Sequence, residues 1–241
     1  MTYTFDWSVL GGENGLRLLD GMAVTLKLVG YSLSFALALG LVFGIARWLG
    51  GRVLSPITWV YVEFVRNTPL LVQILFWYFS SSYILPRPVI LWIRDLGFEF
   101  TSVVIALSIY HGAFVAEIMR AGLNSIDRGQ FDAARAVGLS FPKMMAYVIL
   151  PQAFRIIVPP LTNETVSLTK NTALALAVGV TELAYQAKYI ESYTFRGVEA
   201  LLAATILYLI ICLGFTGIGH LASLRLSRHL EKRHAVGTGL E

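Results

Sequence analysis

The chain has 241 residues, of which 56% are hydrophobic and only 14% charged, with a formal net charge of +4. A soluble domain carries about 25% charged residues, and a mean hydropathy of +0.67 leaves too little polar surface to face water. These values exclude a soluble enzyme and a disordered or fibrous chain, and the single cysteine, Cys212, excludes a disulfide scaffold. What remains is an integral membrane protein.

Residues 1–20 carry Asp6, Glu13, Arg17 and Asp20, with no basic segment leading into an apolar one. A polar arm is therefore expected ahead of the first span, which inserts as itself and is not cleaved as a signal peptide. A spanning helix needs about 20 apolar residues. The stretches 28–46, 67–86, 100–116 and 200–224 contain no Asp, Glu, Lys or Arg, and 144–181 contains only Arg155, Glu164 and Lys170. The runs are continuous and do not alternate, so they predict helices and not barrel strands. Reading one span near 160–182 gives five helices, with the preceding segment cytoplasmic or interfacial.

Orientation follows from short-loop Lys and Arg. With the N-terminus outside, Arg47, Arg52, Arg120, Arg128, Arg135, Lys143, Arg225, Arg228, Lys232 and Arg233 fall inside, against Arg17, Arg87, Arg94, Lys188 and Arg196 outside. That bias predicts N-out and C-in, and it accounts for the net charge without nucleic-acid binding. The expected organisation is a periplasmic arm at 1–20, a transmembrane domain at 21–224 with a hydrophilic loop at 117–151, and a basic cytoplasmic tail at 225–241. Trp48, Trp59, Trp77 and Trp92 fall near span ends as interface anchors.

Each polar group inside the bilayer asks for a partner or a task. Glu63 and Arg66 stand three apart on the predicted second span and so share a face. Asn67, Thr68 and Pro69 follow, and Pro69 frees a backbone carbonyl for a ligand or water. An interfacial charge pair and a stretch of transport path both fit this segment. The fourth span is the most polar: Asn163, Ser167 and Lys170 form one stripe, and Glu164, Ser167 and Asn171 an overlapping one. Donors with one acid and one base suit the two ends of an amino acid; a sealed helix seam is the alternative. Pro159 and Pro160 predict a loosened helix entry. His111, His220, His229 and His234 lie at no metal-ligating spacing, and no metal site is expected.

The loop at 117–151 is hydrophilic yet patterned. Asp127 is placed to cap a helix, Ala133, Ala134, Ala136 and Val137 give it a small apolar face, and Gly138 is placed to end it. Pro142 then opens a second helical stretch that reaches Leu150 and Pro151. A short helix of small side chains at a membrane surface suits docking into another protein.

The spacing Asp132-Ala133-Ala134-x-x-x-Gly138, nine residues, then Val148-x-Leu150-Pro151 resembles the EAA loop of ABC importer permeases, whose pattern is E-A-A-x-x-x-G-x9-I-x-L-P. The segments FVRNTPLLVQ at 64–73, AEIMRAGLNSI at 116–126 and RIIVPPLTNETVSLTKNTALA at 155–175 resemble the polar-amino-acid branch of that family. The resemblance implies an all-α, five-helix, type I importer-permease (MetI-like) architecture in the bacterial inner membrane. It implies that Asp132, Ala133, Ala134, Gly138, Leu150 and Pro151 couple the chain to a cytoplasmic ABC ATPase dimer. Arg66, Asn67, Thr68, Pro69, Asn163, Glu164, Ser167, Lys170 and Asn171 are then candidates for the substrate path or gate. Further implied partners are a second permease copy or paralogue, membrane lipid, and a substrate-binding protein docking on 84–99 and 183–199. ATP binds the partner, since no GxxxxGK[ST] occurs here; no cofactor and no enzymatic site of its own are expected. The TKNTALA segment resembles the glutamate/aspartate branch; glutamine or basic amino acids, or a secondary carrier, are the alternatives.

Overall fold

Backbone in lipid must satisfy its own polar groups, and apolar runs of this length do so as helices. The computed structural model describes the backbone of residues 3–237 and the side chains of residues 3–226. The predicted basic tail at 225–241 lies outside the described side chains beyond Leu226. The helices are α1 (Glu13–Leu49), α2 (Leu54–Arg66), α3 (Leu70–Ile84), α4 (Arg87–Asp95), α5 (Phe98–Asn124), α6 (Arg128–Ala136), α7 (Phe141–Met144), α8 (Leu150–Asn171), α9 (Leu183–Thr194) and α10 (Gly197–Gly237). Among the described residues, four helical stretches are long and apolar enough to cross a membrane: Glu13–Leu49, Phe98–Asn124, Phe141–Val178 and Gly197–Leu226. The apolar α3 is shorter, about 22 Å at 1.5 Å per residue.

Two expectations need correction. The second span does not run unbroken from 67: α2 ends at Arg66, and α3 starts at Leu70 with Pro69 as its N-cap in extended conformation. Proline lacks the N–H that would continue α2, and it pushes the preceding residue out of the helical region. Glu63 and Arg66 therefore close α2 and are not part of α3. The fourth span is also longer than 160–182. Helix begins at Phe141, passes a π turn at Met145–Ile149 and α8, and ends in a 3-10 segment at Thr172–Val178. Gly179, at φ +84°, stops it. Pro159 and Pro160 lie inside α8 and do not open it.

α1 packs on α5 along most of its length, and the two run parallel. Tyr31 meets Phe100 edge-on, and Gly40 and Gly44 reach Val115, Ala116 and Met119. A Cβ on Gly44 would fall 2.8 Å from the Ala116 carbonyl oxygen, and one on Gly40 3.0 Å from the Ala116 amide nitrogen. This small-xxx-small pair lets the backbones approach as closely as packing in lipid requires. Gly44→Leu is therefore expected to cost about 1–3 kcal/mol by overpacking. Gly30→Leu, on a part of α1 where a Cβ meets nothing within 4 Å, is the control. Melting of the detergent-solubilised chain checks this: Gly44→Leu lowers the midpoint and Gly30→Leu does not.

α8 runs antiparallel to α5 and α10. Its Ile157 packs on Gly122 and its Thr162 on Gly219, while Arg155 donates from Nη2 to the Leu226 carbonyl at 2.6 Å. At the end of the bundle that carries the arm, Glu182 caps α9, accepting from the amides of Ala184 at 3.0 Å and Tyr185 at 2.8 Å. Tyr208 of α10 donates to the same carboxylate, and Thr25 of α1 bonds the Leu183 amide at 3.2 Å. Burial pushes the Glu182 carboxyl above its ordinary range, against the pull of these donors. The arm closes over this end, with Glu199 accepting from Tyr3 and from the Asp6 amide.

Candidate functional site

The first candidate surface lies at the opposite end, on α6. Asp127 starts the helix by accepting from the Gly129 amide at 2.6 Å. Gly138, at φ +77°, ends it. The Gly138 amide bonds the Arg135 carbonyl at 2.9 Å and the Leu139 amide bonds that of Ala134 at 3.1 Å, the paired bonds of a Schellman stop. Both local signals in the loop thus do what their residue types predict.

The apolar face of α6 divides in two. Ala134 is buried at 4% exposure among Met144, Ile149 and Ala153, and Phe131 meets Trp48 at the end of α1. Ala133, Ala136 and Gly138 are exposed, as are Val137 at 75%, Phe141 and Tyr147. Asp132 is exposed and, among the described residues, pairs only with Arg135, one turn on, at 3.3 Å. Leu150 and Pro151 belong elsewhere. They open α8 after the π turn, with Leu150 packed against the core beneath α6. Beside this surface Glu117 ties α1 to α5, accepting from Arg47 at 2.6 Å and from Arg120.

The second candidate is in the bundle, where α8 faces α5. His111, 1% exposed, places Nδ1 at 2.5 Å from Glu164 Oε1, and its Nε2 lies 3.3 Å from Asn171 Nδ2. Nδ1–H donates to Glu164, and the other ring nitrogen meets the side-chain amide of Asn171. Two turns of α8 are thereby clamped on one side chain of α5. The residues singled out on α8 separate: Glu164 and Asn171 turn inward, whereas Asn163 and Lys170 are exposed and Ser167 is half-buried between them. Tyr110 packs edge-on against His111, and Phe114 packs on Tyr110.

Sequence spacing missed His111. Its partners stand 53 and 60 positions away on another helix, so no i, i+4 pattern marks it. The signal present was simply a histidine inside an otherwise apolar span. Among the described residues no cluster of ligating side chains could hold a metal ion.

The segment 66–69 does not share this site as a unit. Arg66 stacks over the Phe114 ring at 5.0 Å, one turn from His111, and among the described residues it makes no ion pair with Glu63. Glu63 instead accepts from the Asn67 amide at 3.1 Å. Thr68 bonds the Phe64 carbonyl at 3.0 Å, and Gln73 bonds that of Val65 at 3.0 Å. Asn67 and Thr68 thus satisfy the backbone that Pro69 interrupts.

A family model described as binding-protein-dependent transport system inner membrane component matches residues 36–228. The chain belongs to that family. The match takes in the second part of α1 from residue 36, the other four apolar stretches, α6 and the His111–Glu164 contact. Among relatives of these inner membrane components, the glutamine transport system permease protein GlnP of Escherichia coli (strain K12) is 38% identical over 233 residues, 96% of this chain and 99% of its own. The glutamate/aspartate import permease protein GltJ of the same strain is 37% identical over 196 residues, 80% of each chain. The arginine transport system permease protein ArtQ of Bacillus subtilis (strain 168) is 36% identical over 208 residues, 84% of this chain and 89% of its own. A solved amino acid ABC transporter with histidines superposes with a TM-score of 0.80 at 31% identity, over 92% of this chain and 100% of that one. The inward-facing MetNI methionine ABC transporter, at 20% identity and a TM-score of 0.74, shares the fold over 89% of this chain and 99% of its own.

Proposed function

We propose that the chain is the permease subunit of an ATP-driven importer of polar amino acids in a bacterial inner membrane, with glutamate and aspartate as cargo. In this reading the arm faces outward and α6 faces the cytoplasm, where an ABC ATPase dimer receives the exposed Ala133, Ala136, Val137 and Gly138. Closure of the ATPase pulls α6, and a second permease copy or paralogue completes the path. A substrate-loaded binding protein docks on α4 and α9 at the outer end.

The charge pattern of the polar site carries the choice of cargo. Glu164, the sole carboxylate of α8, is turned onto His111, and the Glu63 carboxylate is taken up by Asn67. Lys170 and Arg66 form no ion pair among the described residues. Arg66 lies over the Phe114 ring one turn from His111, and Tyr110 feels both it and Glu164; a cation there beside an engaged acid favours a substrate that brings its own negative charge. The 37% identity to the glutamate/aspartate permease supports the same reading. The match along 96% of the chain to the glutamine permease supports a neutral amide cargo as the second reading.

Uptake in proteoliposomes holding the permease, its ATPase and its binding protein tests this with labelled glutamate, glutamine and arginine. The expected result is strictly ATP-dependent uptake with glutamate preferred. A preference for arginine overturns the charge argument, and uptake without ATP overturns the importer reading.

A further inference from the structure

Lys27 stands immediately before the charge-free run 28–46, and Glu99 immediately before 100–116. Because α1 and α5 run parallel, both charges stand at the same edge of the apolar slab, where a lipid headgroup meets its chains. Both line one cavity of about 490 Å³, walled also by Val24, Tyr31 and Phe100. Neither charge makes an ion pair or a hydrogen bond among the described residues. Charges so placed, at the edge of the apolar slab, are within reach of a lipid headgroup.

A second cavity, of about 290 Å³, shares Tyr31 and Phe100 with the first. Phe35 of α1, Trp92 and Leu96 at the end of α4, and Thr101 and Val104 of α5 complete its mostly apolar walls. A two-charge chamber thus adjoins a greasy groove across Tyr31 and Phe100, the layout of a headgroup site beside a chain site. Opposite charges in one chamber disfavour a purely anionic ligand, because Glu99 would repel it, and a purely cationic one, because Lys27 would. A zwitterion satisfies both. The groove rules for a zwitterion that carries a hydrocarbon chain over a free amino acid.

We propose that this paired cavity holds one amine-headed phospholipid, its phosphate on Lys27, its ammonium donating to Glu99, and one acyl chain along the groove between α1, α4 and α5. Glu99 can discriminate a primary ammonium, which has N–H donors, from a quaternary one, which has none.

Native mass spectrometry of the full-length chain in mild detergent, equilibrated with phosphatidylethanolamine, phosphatidylcholine and phosphatidylglycerol of equal chain length, tests this. The wild type is expected to retain one phosphatidylethanolamine in several-fold preference to the other two. Lys27→Gln lowers retention of every phospholipid, and Glu99→Gln abolishes the preference for phosphatidylethanolamine over phosphatidylcholine. Both positions are exposed, so the variants keep the fold, which the melting midpoint verifies. Equal retention of the three lipids by the wild type overturns the proposal, as does wild-type selectivity in both variants. Displacement of the bound lipid by a free amino acid, in place of competition by a second phospholipid, also overturns it.

Discussion

Replacing Glu164 by glutamine will lower ATP-driven uptake by about tenfold or more, equivalent to about 1.4 kcal/mol, without unfolding the chain. Glutamine keeps an oxygen to accept the His111 Nδ1–H that lies 2.5 Å away, so the α5–α8 contact survives and only the charge is lost. That charge is the group on α8 able to meet the amino end of a substrate. Removing the histidine is a blunter change. His111→Ala leaves the largely buried Glu164 carboxylate without its donor, a loss of about 1–3 kcal/mol for an unsatisfied buried group, and is expected to destabilise the fold by itself. The double variant His111→Leu/Glu164→Leu separates the two roles: apolar side chains restore the melting midpoint, but uptake stays low. If Glu164→Gln transports every amino acid with wild-type kinetics, the pair is a staple between helices and the proposed substrate site is wrong.

How much of this was legible before any coordinates depends on how local each signal is. The apolar runs behind α1, α5 and α10 announce themselves, because bilayer thickness sets a length that composition alone reveals. α6 was equally legible: Asp127 and Gly138 act within four residues of their own positions. The break at Asn67–Pro69 was hidden because a count of charges is blind to a missing backbone N–H. Leu150 and Pro151 share a sequence pattern with the docking residues but lie in the first turn of α8, since a motif records spacing and not placement. His111 and the Gly40/Gly44 crossing were out of reach for one reason. Each acquires its meaning from a partner about 50 to 75 positions away, and nothing in a single chain of letters says which helices will touch.

The α6 surface offers the sharper test of coupling, because fold and docking can be separated there residue by residue. Val137 is 75% exposed, so Val137→Asp removes almost no packing. It places a charge where the helix would enter the ATPase, and it is expected to lower substrate-stimulated ATP hydrolysis by about tenfold or more, about 1.4 kcal/mol of lost coupling, at unchanged melting. Gly138→Asp adds a second effect. A Cβ there meets nothing within 4 Å, so no clash arises, but φ is +77°, and a left-handed non-glycine residue costs about 1–2 kcal/mol. The Schellman stop then loosens, and the helix end is displaced as well as charged. Ala134→Asp is the contrasting case: at 4% exposure it buries an unpaired carboxylate beneath α6 and destabilises the chain outright. Loss of coupling in Val137→Asp and Gly138→Asp with the membrane helices intact is what a docking surface requires. Wild-type stimulated hydrolysis in both variants, measured in the reconstituted complex, would place the ATPase contact elsewhere on the chain and return α6 to an ordinary capped helix at the membrane surface.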